Sequence, residues 1–476
     1  MPSATQPALD LQAAFDALRA NRWKVAQSSA ADRVAKLRRL RQVLLAEREA
    51  LRTALQADLR RPPEESEVLE IQPLFGELDH AIHNVKRWMR PKRVSTPLLL
   101  AGTRSEVRFE PRGLALILAP WNYPLDLAIA PLIAAVAAGN CVLVKPSEKS
   151  AHVAEAVARI IAKAFPPDEV ACVLGGPQLG EALVALPFDH IFFTGSTRLG
   201  KAVMRAAAEN LASVTLELGG KSPALVDESA DVLLAAERIA WGKFVNAGQT
   251  CIAPDYALVH QGIASAFITA LKLQLEGMYG PPSQTRLSPY YCRLIDTAAA
   301  ERLSAALEAT LRSGATLEAG GEFDHASRYI APTILSGVTQ DSPIMREEIF
   351  GPILPILTYQ SLEEALYLIR SRPKPLSLYV FSRTRDVLER VLAQTSAGAT
   401  VWNTTLLHFG NHNLPFGGVG ESGMGSYHGW FGFRAFSHER AVLYQSRFSM
   451  IGRFFPPYGP TTRALLAWVD RLMGLR

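Results

Sequence analysis

Cys251 stands in FVNAGQTCIAPDY, residues 244–256, where Ala247 and Gly248 precede the thiol and Pro254 follows it. Taken alone, a cysteine in such a place is more readily a small buried hydrophobe. To act as a nucleophile it needs further parts, and other segments offer residues of the right types. Asn122 in PWNYP lies between two prolines that hold the turn extended, so its amide can donate to a developing oxyanion. Glu217 in ELGGKSP closes an apolar strand, where a carboxylate is costly to bury unless paired; it is either exposed or kept for general-base work. REEIFGP puts Glu347 or Glu348 beside Phe350, an acid and a ring that can hold a ribose and wall a flat cofactor, or a surface acid beside a core phenylalanine.

Two more segments suggest a nucleotide site. FFTGSTRLGK follows an apolar run and opens a helical one, with Gly195 and Gly200 bracketing Ser196. Such a turn brings backbone N–H groups and a helix N-terminus towards a pyrophosphate, although the GxGxxG spacing is missing. KPSE adds Lys145 and Glu148 at a strand end, where they can hydrogen-bond ribose hydroxyls; Glu148 can equally stabilise the helix start that follows Ser147.

Positioning these parts takes more than one core, since 476 residues exceed what a single hydrophobic core holds. With 48% hydrophobic and 20% charged residues, the composition is that of a globular protein. The formal charge of +5 comes from interspersed acids and bases, with no basic run interleaved with aromatics, so nucleic acid is not an expected partner. Cys141, Cys172, Cys251 and Cys292 show neither CxxC pairing nor histidines at ligand spacing, so neither a metal nor a disulfide framework is expected. The opening MPSATQPALDLQAAFDALRA lacks the apolar centre of an export signal, and no run reaches the ~18 apolar residues a membrane span needs. A cytoplasmic, reducing location is the expectation, one in which a free thiol survives.

Between 113 and 219, the runs LALILAP, CVLVKP, VACVLG, HIFFTGS and VTLELGG alternate with helical patterns. Apolar strands joined by helical crossovers imply a parallel sheet covered on both faces, and such doubly wound sheets bind ligands at the carboxyl ends of their strands. A second alternation starts at SPALVD and continues through the helix before Cys251, YALVH, YIAPTIL, ILPILTY, LSLYVFS and ATVWNT, giving a second α/β domain. Helical patterns fill 9–59 and 67–89, with polar RRPPEES between them. The glycine-rich stretch 408–432 is expected as an ordered loop returning to the first domain.

PWNYP, KPSE, FTGSTRLGK, ELGGKSP, GQTC, EEIFGP and PFGGVGESGMGSYHG follow one another in one chain, and together resemble the aldehyde dehydrogenase superfamily over roughly residues 112–436. CIAPDY and LPFGGVGESGMGSYHG are most similar to its class 3 branch of fatty and aromatic aldehyde dehydrogenases. The resemblance implies an α/β fold with a Rossmann-type NAD(P)-binding domain at 1–90 and 106–219 and a catalytic domain at 220–407. It further implies small oligomerisation or bridging elements at 91–105 and 425–446, followed by an amphipathic tail at 447–476. Cys251 would be the nucleophile, Asn122 and the Cys251 N–H the oxyanion hole, and Glu217 the general base, with Glu348 a rival for that role. Lys145 and Glu148 would hold the adenosine ribose, Ser196 the pyrophosphate between Gly195 and Gly200, and Glu348 with Phe350 the nicotinamide ribose and ring. The implied reaction oxidises an aldehyde through a thiohemiacetal and a thioester that water hydrolyses. Acyl transfer to coenzyme A, and an inactive binding homologue, are the competing readings.

Trp121, Tyr123, Leu406, Leu407, His408 and Phe409 are expected to line an apolar, aromatic-rich tunnel suited to medium or long aliphatic or benzylic aldehydes. Glu148 should repel a 2′-phosphate, so NAD is the expected cofactor, with NADP left open. A homodimer is the expected assembly. After Tyr444 the tail mixes aromatics, leucines and arginines and contains an amphipathic helix at 464–475. Too short and too charged to span a bilayer, it packs on a partner subunit, covers the substrate funnel, or touches a membrane surface.

Overall fold

The computed structural model describes residues 11–97, 100–447 and 450–475. Residues 1–10 of the expected lead-in, 98–99 of the expected bridging element, and 448–449 and 476 of the tail lie outside them. The strands, in chain order, are β1 Lys92–Val94, β2 Thr103–Pro111, β3 Leu114–Leu118, β4 Cys141–Lys145, β5 Val170–Cys172, β6 His190–Gly195, β7 Ser213–Leu218, β8 Pro223–Val226 and β9 Tyr256–His260. They continue as β10 Thr316–Ala319, β11 Phe323–Asp324, β12 Tyr329–Ile330, β13 Thr333–Ser336, β14 Ile353–Tyr359, β15 Ser377–Phe381, β16 Ala399–Trp402, β17 Gly423–Met424 and β18 Ser437–Gln445.

The first sheet runs β5-β4-β3-β6-β7 in parallel, with β17 antiparallel at the edge beside β7. LALIL of β3 and CVLVK of β4 are buried at every position, as strands covered on both faces must be. The chain steps outwards from β3 to β5 and then returns to the other side of β3 as β6. The connections leaving β3 and β6 therefore part company, and a crevice opens at their carboxyl ends. The helix Asp126–Ala138, buried along its whole length, fills one face. Helices Ala30–Ala46 and Gln72–Trp88 pack on it.

The 9–59 pattern resolves into three helices, Leu11–Ala26, Ala30–Ala46 and Arg48–Leu59, because Ser29 and Asp32 form a capping box that restarts the chain. The next pattern opens as a π-helical turn, Glu67–Ile71, before the regular helix Gln72–Trp88.

The second sheet has the order β10-β13-β14-β9-β8-β15-β16, parallel except for β10, and carries its own core. A third, antiparallel ribbon β1-β2-β18 pairs 103–111 with 437–445 residue by residue. Residues 106–111, placed by sequence in the cofactor domain, are thus continuous with the ribbon, because β2 runs unbroken through them.

Candidate active site

Five of the residues singled out above sit at the carboxyl ends of the first sheet. Asn122 follows β3, Lys145 ends β4, Gly195 ends β6 with Ser196 next, and Glu217 is the penultimate residue of β7. Cys251 approaches from the other domain. The helix Val232–Phe244, N-capped by Asp231, delivers the chain to a turn in which Asn246, Ala247 and Gly248 have φ of 52°, 50° and 73°. Left-handed backbone costs a residue such as Ala247 about 1–2 kcal/mol, so the turn must be held by its surroundings. The Asn246 N–H donates to Glu65 Oε1 at 2.8 Å, and its side-chain amide donates to the carbonyls of Asn122 and Gln249 at 2.9 and 3.1 Å. Gly248 is required twice over: its φ is positive, and the Gly351 carbonyl occupies the space a β-carbon would need.

Arg61 ties this turn to the first domain. In the sequence it belongs to an apparent polar break, RRPPEES, but its guanidinium is wholly buried. It pairs with Glu70 and donates to the Asn122 carbonyl at 2.6 Å and to Asn246 Oδ1 at 2.8 Å. Glu70 in turn accepts the N–H groups of Leu125 and Asp126 at 2.9 and 3.0 Å, where the buried helix begins. Asn122 completes the clamp by donating its side-chain amide to the Gln249 carbonyl at 3.1 Å. Breaking a fully buried pair such as Arg61–Glu70 by removing one partner costs about 3–5 kcal/mol. No local signal marks these residues, because their partners lie far along the chain.

A cavity lies between the domains, lined by Cys251 and Glu217 with Tyr123, Leu406, Leu407 and Phe409. Leu69, Trp241, Phe416, Tyr427 and Asp126 complete much of the wall. Trp121 and His408, expected with the tunnel residues, lie elsewhere. Trp121 meets Phe350 edge-on at 5.4 Å. His408 follows the left-handed Leu406, and its Nε2 comes within 3.1 Å of Ser377 Oγ while its ring stacks on Phe416.

The cavity is electrostatically unusual. Cys251 is partly exposed to it, and burial, with the nearby Glu348 and then Glu217, pushes the thiol up to about 12. Glu217 is 3% exposed, neither carboxylate oxygen has a hydrogen-bond partner, and burial raises it well above the usual carboxylate range. Glu348 is pushed up to about 8 by burial and by Asp255, against the pull of the Gly220 N–H, Lys221 and Lys243. Asp255 itself pairs with Lys221 and accepts the Ile349 N–H at 2.9 Å. Burial lowers Lys243, which faces Asp255 and Glu348, to about 8.

On the cofactor side, the buried Lys145 holds Glu148 Oε2 at 3.0 Å, and Ser196 caps the helix Thr197–Glu209 by accepting the Leu199 N–H. A β-carbon at Gly195 would meet the Phe193 ring, and one at Gly200 the Leu218 side chain, so both glycines answer to packing beneath the turn. Phe350 sits in a left-handed conformation, φ 49°. A cation, an acid and a capped helix N-terminus at the carboxyl ends of β4 and β6, on either side of β3, are the donor and acceptor set that a dinucleotide needs, and the residues fit that group.

A doubly wound sheet and a second α/β domain meeting at a half-buried thiol form the architecture of a nucleotide-dependent oxidoreductase. The profile described as "Aldehyde dehydrogenase family" matches residues 2–442. The 4,4'-diaponeurosporen-aldehyde dehydrogenase of Staphylococcus aureus is 47% identical over 85% of this chain and 87% of its own. Human aldehyde dehydrogenase family 3 member B1 is 46% identical over 87% of each chain, and a probable coniferyl aldehyde dehydrogenase of Pseudomonas aeruginosa is 42% identical over 96% and 95%. Among solved structures, a substrate-bound state of Staphylococcus aureus AldH superposes with a TM-score of 0.92 at 42% identity, covering 96% of this chain and 99% of the other. The chain belongs to the aldehyde dehydrogenase family, in its class 3 branch, and its reaction is the NAD(P)-dependent oxidation of an aldehyde.

Proposed function

We propose that the chain oxidises apolar aldehydes, medium- or long-chain aliphatic or aromatic, to free carboxylic acids, with NAD preferred over NADP. The cavity supports this best: Cys251 and the unpartnered Glu217 share one space whose remaining wall is mostly leucine, phenylalanine and tyrosine. The names of the relatives from Staphylococcus aureus and Pseudomonas aeruginosa refer to a diaponeurosporen-aldehyde and to coniferyl aldehyde, consistent with such a wall.

Bound NAD(P) supplies the two-electron acceptor. Lys145 and Glu148 would hold its adenosine ribose, the Ser196 turn its pyrophosphate, and Glu348 with Phe350 its nicotinamide end. The Cys251 sulfur adds to the aldehyde carbon. The thiol must lose its proton to attack; Glu217 shares the cavity with it, has no hydrogen-bond partner, and takes that proton in its ionised form, the form that burial disfavours. One N–H of the Asn122 amide is fixed by the Gln249 carbonyl; the other, with the Cys251 N–H, stabilises the oxyanion. Once the thioester has formed, Glu217 deprotonates the water that releases the acid, with Glu348 as the alternative base.

Purified enzyme given an aromatic or long-chain aldehyde and NAD is expected to form acid and NADH in equal amounts without coenzyme A. Product that appears only when coenzyme A is added would overturn the hydrolytic reading. A panel of aldehydes ranked by kcat/KM tests the apolar preference.

The assembly we favour is a homodimer through the β18 edge of the third sheet, in the cytoplasm. No helix among the described residues is long and apolar enough to cross a membrane. The helix Pro460–Leu472 and the turn before it expose Phe455, Tyr458, Leu466 and Trp468 beside Arg453, Arg463 and Arg471. That mixture suits a peripheral membrane contact, tested by vesicle binding of the full chain against a chain ending at Ser446.

A further inference from the structure

A second group of ionisable side chains lies behind the aromatic wall of the cavity. Glu77 comes from the helix Gln72–Trp88, His412 from the loop after β16, and His428 from the turn that opens the helix Gly429–Ala435. One ligand-type atom from each lies within 4.8 Å of the other two. Glu77 Oε1 accepts the Gly429 N–H at 2.7 Å, which fixes the carboxylate. Its Oε2 stands 2.8 Å from His412 Nδ1, but without the alignment of a hydrogen bond. His428 is 3% exposed; one ring nitrogen faces the Phe409 backbone without the alignment of a hydrogen bond, and the other has no partner.

Buried polar atoms are rarely left in this state. A simple His412–Glu77 hydrogen bond, after a small rotation, would satisfy two of these atoms, and the Phe409 backbone at most one nitrogen of His428, which leaves its other nitrogen unmatched. A single divalent cation satisfies all three residues. Two imidazoles and one carboxylate, with a water in the fourth position, are a zinc-class ligand set. The Gly429 N–H on Glu77 is the outer-shell support such ligands usually have. With metal–ligand bonds of about 2.0–2.1 Å, neighbouring ligand atoms of a tetrahedral site stand roughly 3.3 Å apart. The trio reaches that spacing if the His412–Glu77 pair opens slightly and His428 moves inwards.

We propose that Glu77, His412 and His428 bind a zinc-class divalent cation, and that occupancy weakens the enzyme's hold on its aldehyde. The coupling follows from packing. The His428 ring lies 4.3 Å from that of Tyr427 and 4.6 Å from that of Phe409, and both rings line the cavity. Drawing His428 towards a cation therefore moves the substrate wall. Sequence spacing offered no hint, since the three ligands come from opposite ends of the chain.

The test uses the full-length chain carrying Cys251→Ser, which removes the reactive thiol as a competing ligand. Titration with Co²⁺ is expected to give one equivalent bound, with the visible absorption of a low-coordinate site, displaced by Zn²⁺. His412→Gln on the same background should weaken binding by about tenfold or more. Absence of stoichiometric Co²⁺ binding, or binding that both His412→Gln and Glu77→Gln leave unchanged, overturns the site. With Cys251 intact, Zn²⁺ is expected to raise the aldehyde KM more than it lowers kcat, and His412→Gln should remove that effect. Inhibition that persists in His412→Gln would come from the catalytic thiol and would overturn the coupling.

Discussion

The carboxylate of Glu348 lies against the Cα of Gly219, in the space that a β-carbon at residue 219 would occupy. Glu348 belongs to the second domain, and Gly219 follows the strand that carries Glu217, so this contact sets how the two acids face one thiol. The backbone of Gly219 is not left-handed, and alanine is tolerated there conformationally. The cost of Gly219→Ala is therefore displacement of Glu348. We expect kcat/KM to fall by about tenfold to a hundredfold with little change in Tm, the scale of a catalytic group moved by an ångström. Glu348→Asp, a shorter acid, should restore part of the loss in the double variant.

Glu217→Gln should separate the two halves of the reaction. If Glu217 activates the hydrolytic water, the variant forms the acyl-enzyme on Cys251 and stalls, with steady-state kcat down by about 10²–10⁴-fold. A burst of NADH and the acyl mass on the protein report this. Accumulation in Glu348→Gln and not in Glu217→Gln would exchange the roles.

Asn122→Ala should lower kcat by about 10²–10³-fold, as expected when one oxyanion donor is lost. The variant also releases the Gln249 carbonyl, so thermal unfolding must be measured beside kinetics to separate the two effects.

Stability should fall as pH rises through the range in which Glu348 ionises. Its folded value of about 8 lies above the ordinary glutamate value of 4.5 expected for the unfolded chain, so between these values the folded protein holds a proton that the unfolded chain has released. The stabilisation is complete below the unfolded value and is lost towards the folded one, with a limiting slope of about 1.4 kcal/mol per pH unit. Glu348→Gln should flatten the decline of Tm between roughly pH 5 and pH 8. The thiol of Cys251, pushed to about 12, adds an opposite kinetic trend: acylation should quicken with rising pH.

Glu148→Gln should raise kcat/KM for NADP relative to NAD by removing a negative charge from beside the ribose. The pairing with Lys145 enlarges the change, because Lys145 loses the negative charge of its 3.0 Å partner and its own charge becomes available to a phosphate. An unchanged cofactor ratio would show that Glu148 does not face the ribose.

The sheets, their order of appearance and the strand-end positions of Asn122, Lys145, Ser196 and Glu217 were legible because they depend on local pattern: apolar runs, prolines at turns and glycines at strand ends. Arg61 was not legible, since RRPPEES reads as solvated until Glu70, Asn122 and Asn246 are brought round it. Trp121 and His408 are absent from the cavity wall although Tyr123 and Phe409 stand on it, because neighbours in a turn point different ways. Gly219 matched a motif, yet its reason to be glycine lies in a glutamate more than a hundred residues later.

The pairing of β17 with β7 carries one last implication, for synthesis on the ribosome. Gly423 hydrogen-bonds beside Glu217, so the edge of the first sheet is completed by residues made after the whole second domain. A chain emerging N-terminus first must keep that edge uncovered while some two hundred further residues are translated, and an uncovered strand edge is where misassembly starts. Glu217 thus gains its last backbone neighbour only after the whole second sheet has been made, and shorter nascent chains lack that pairing.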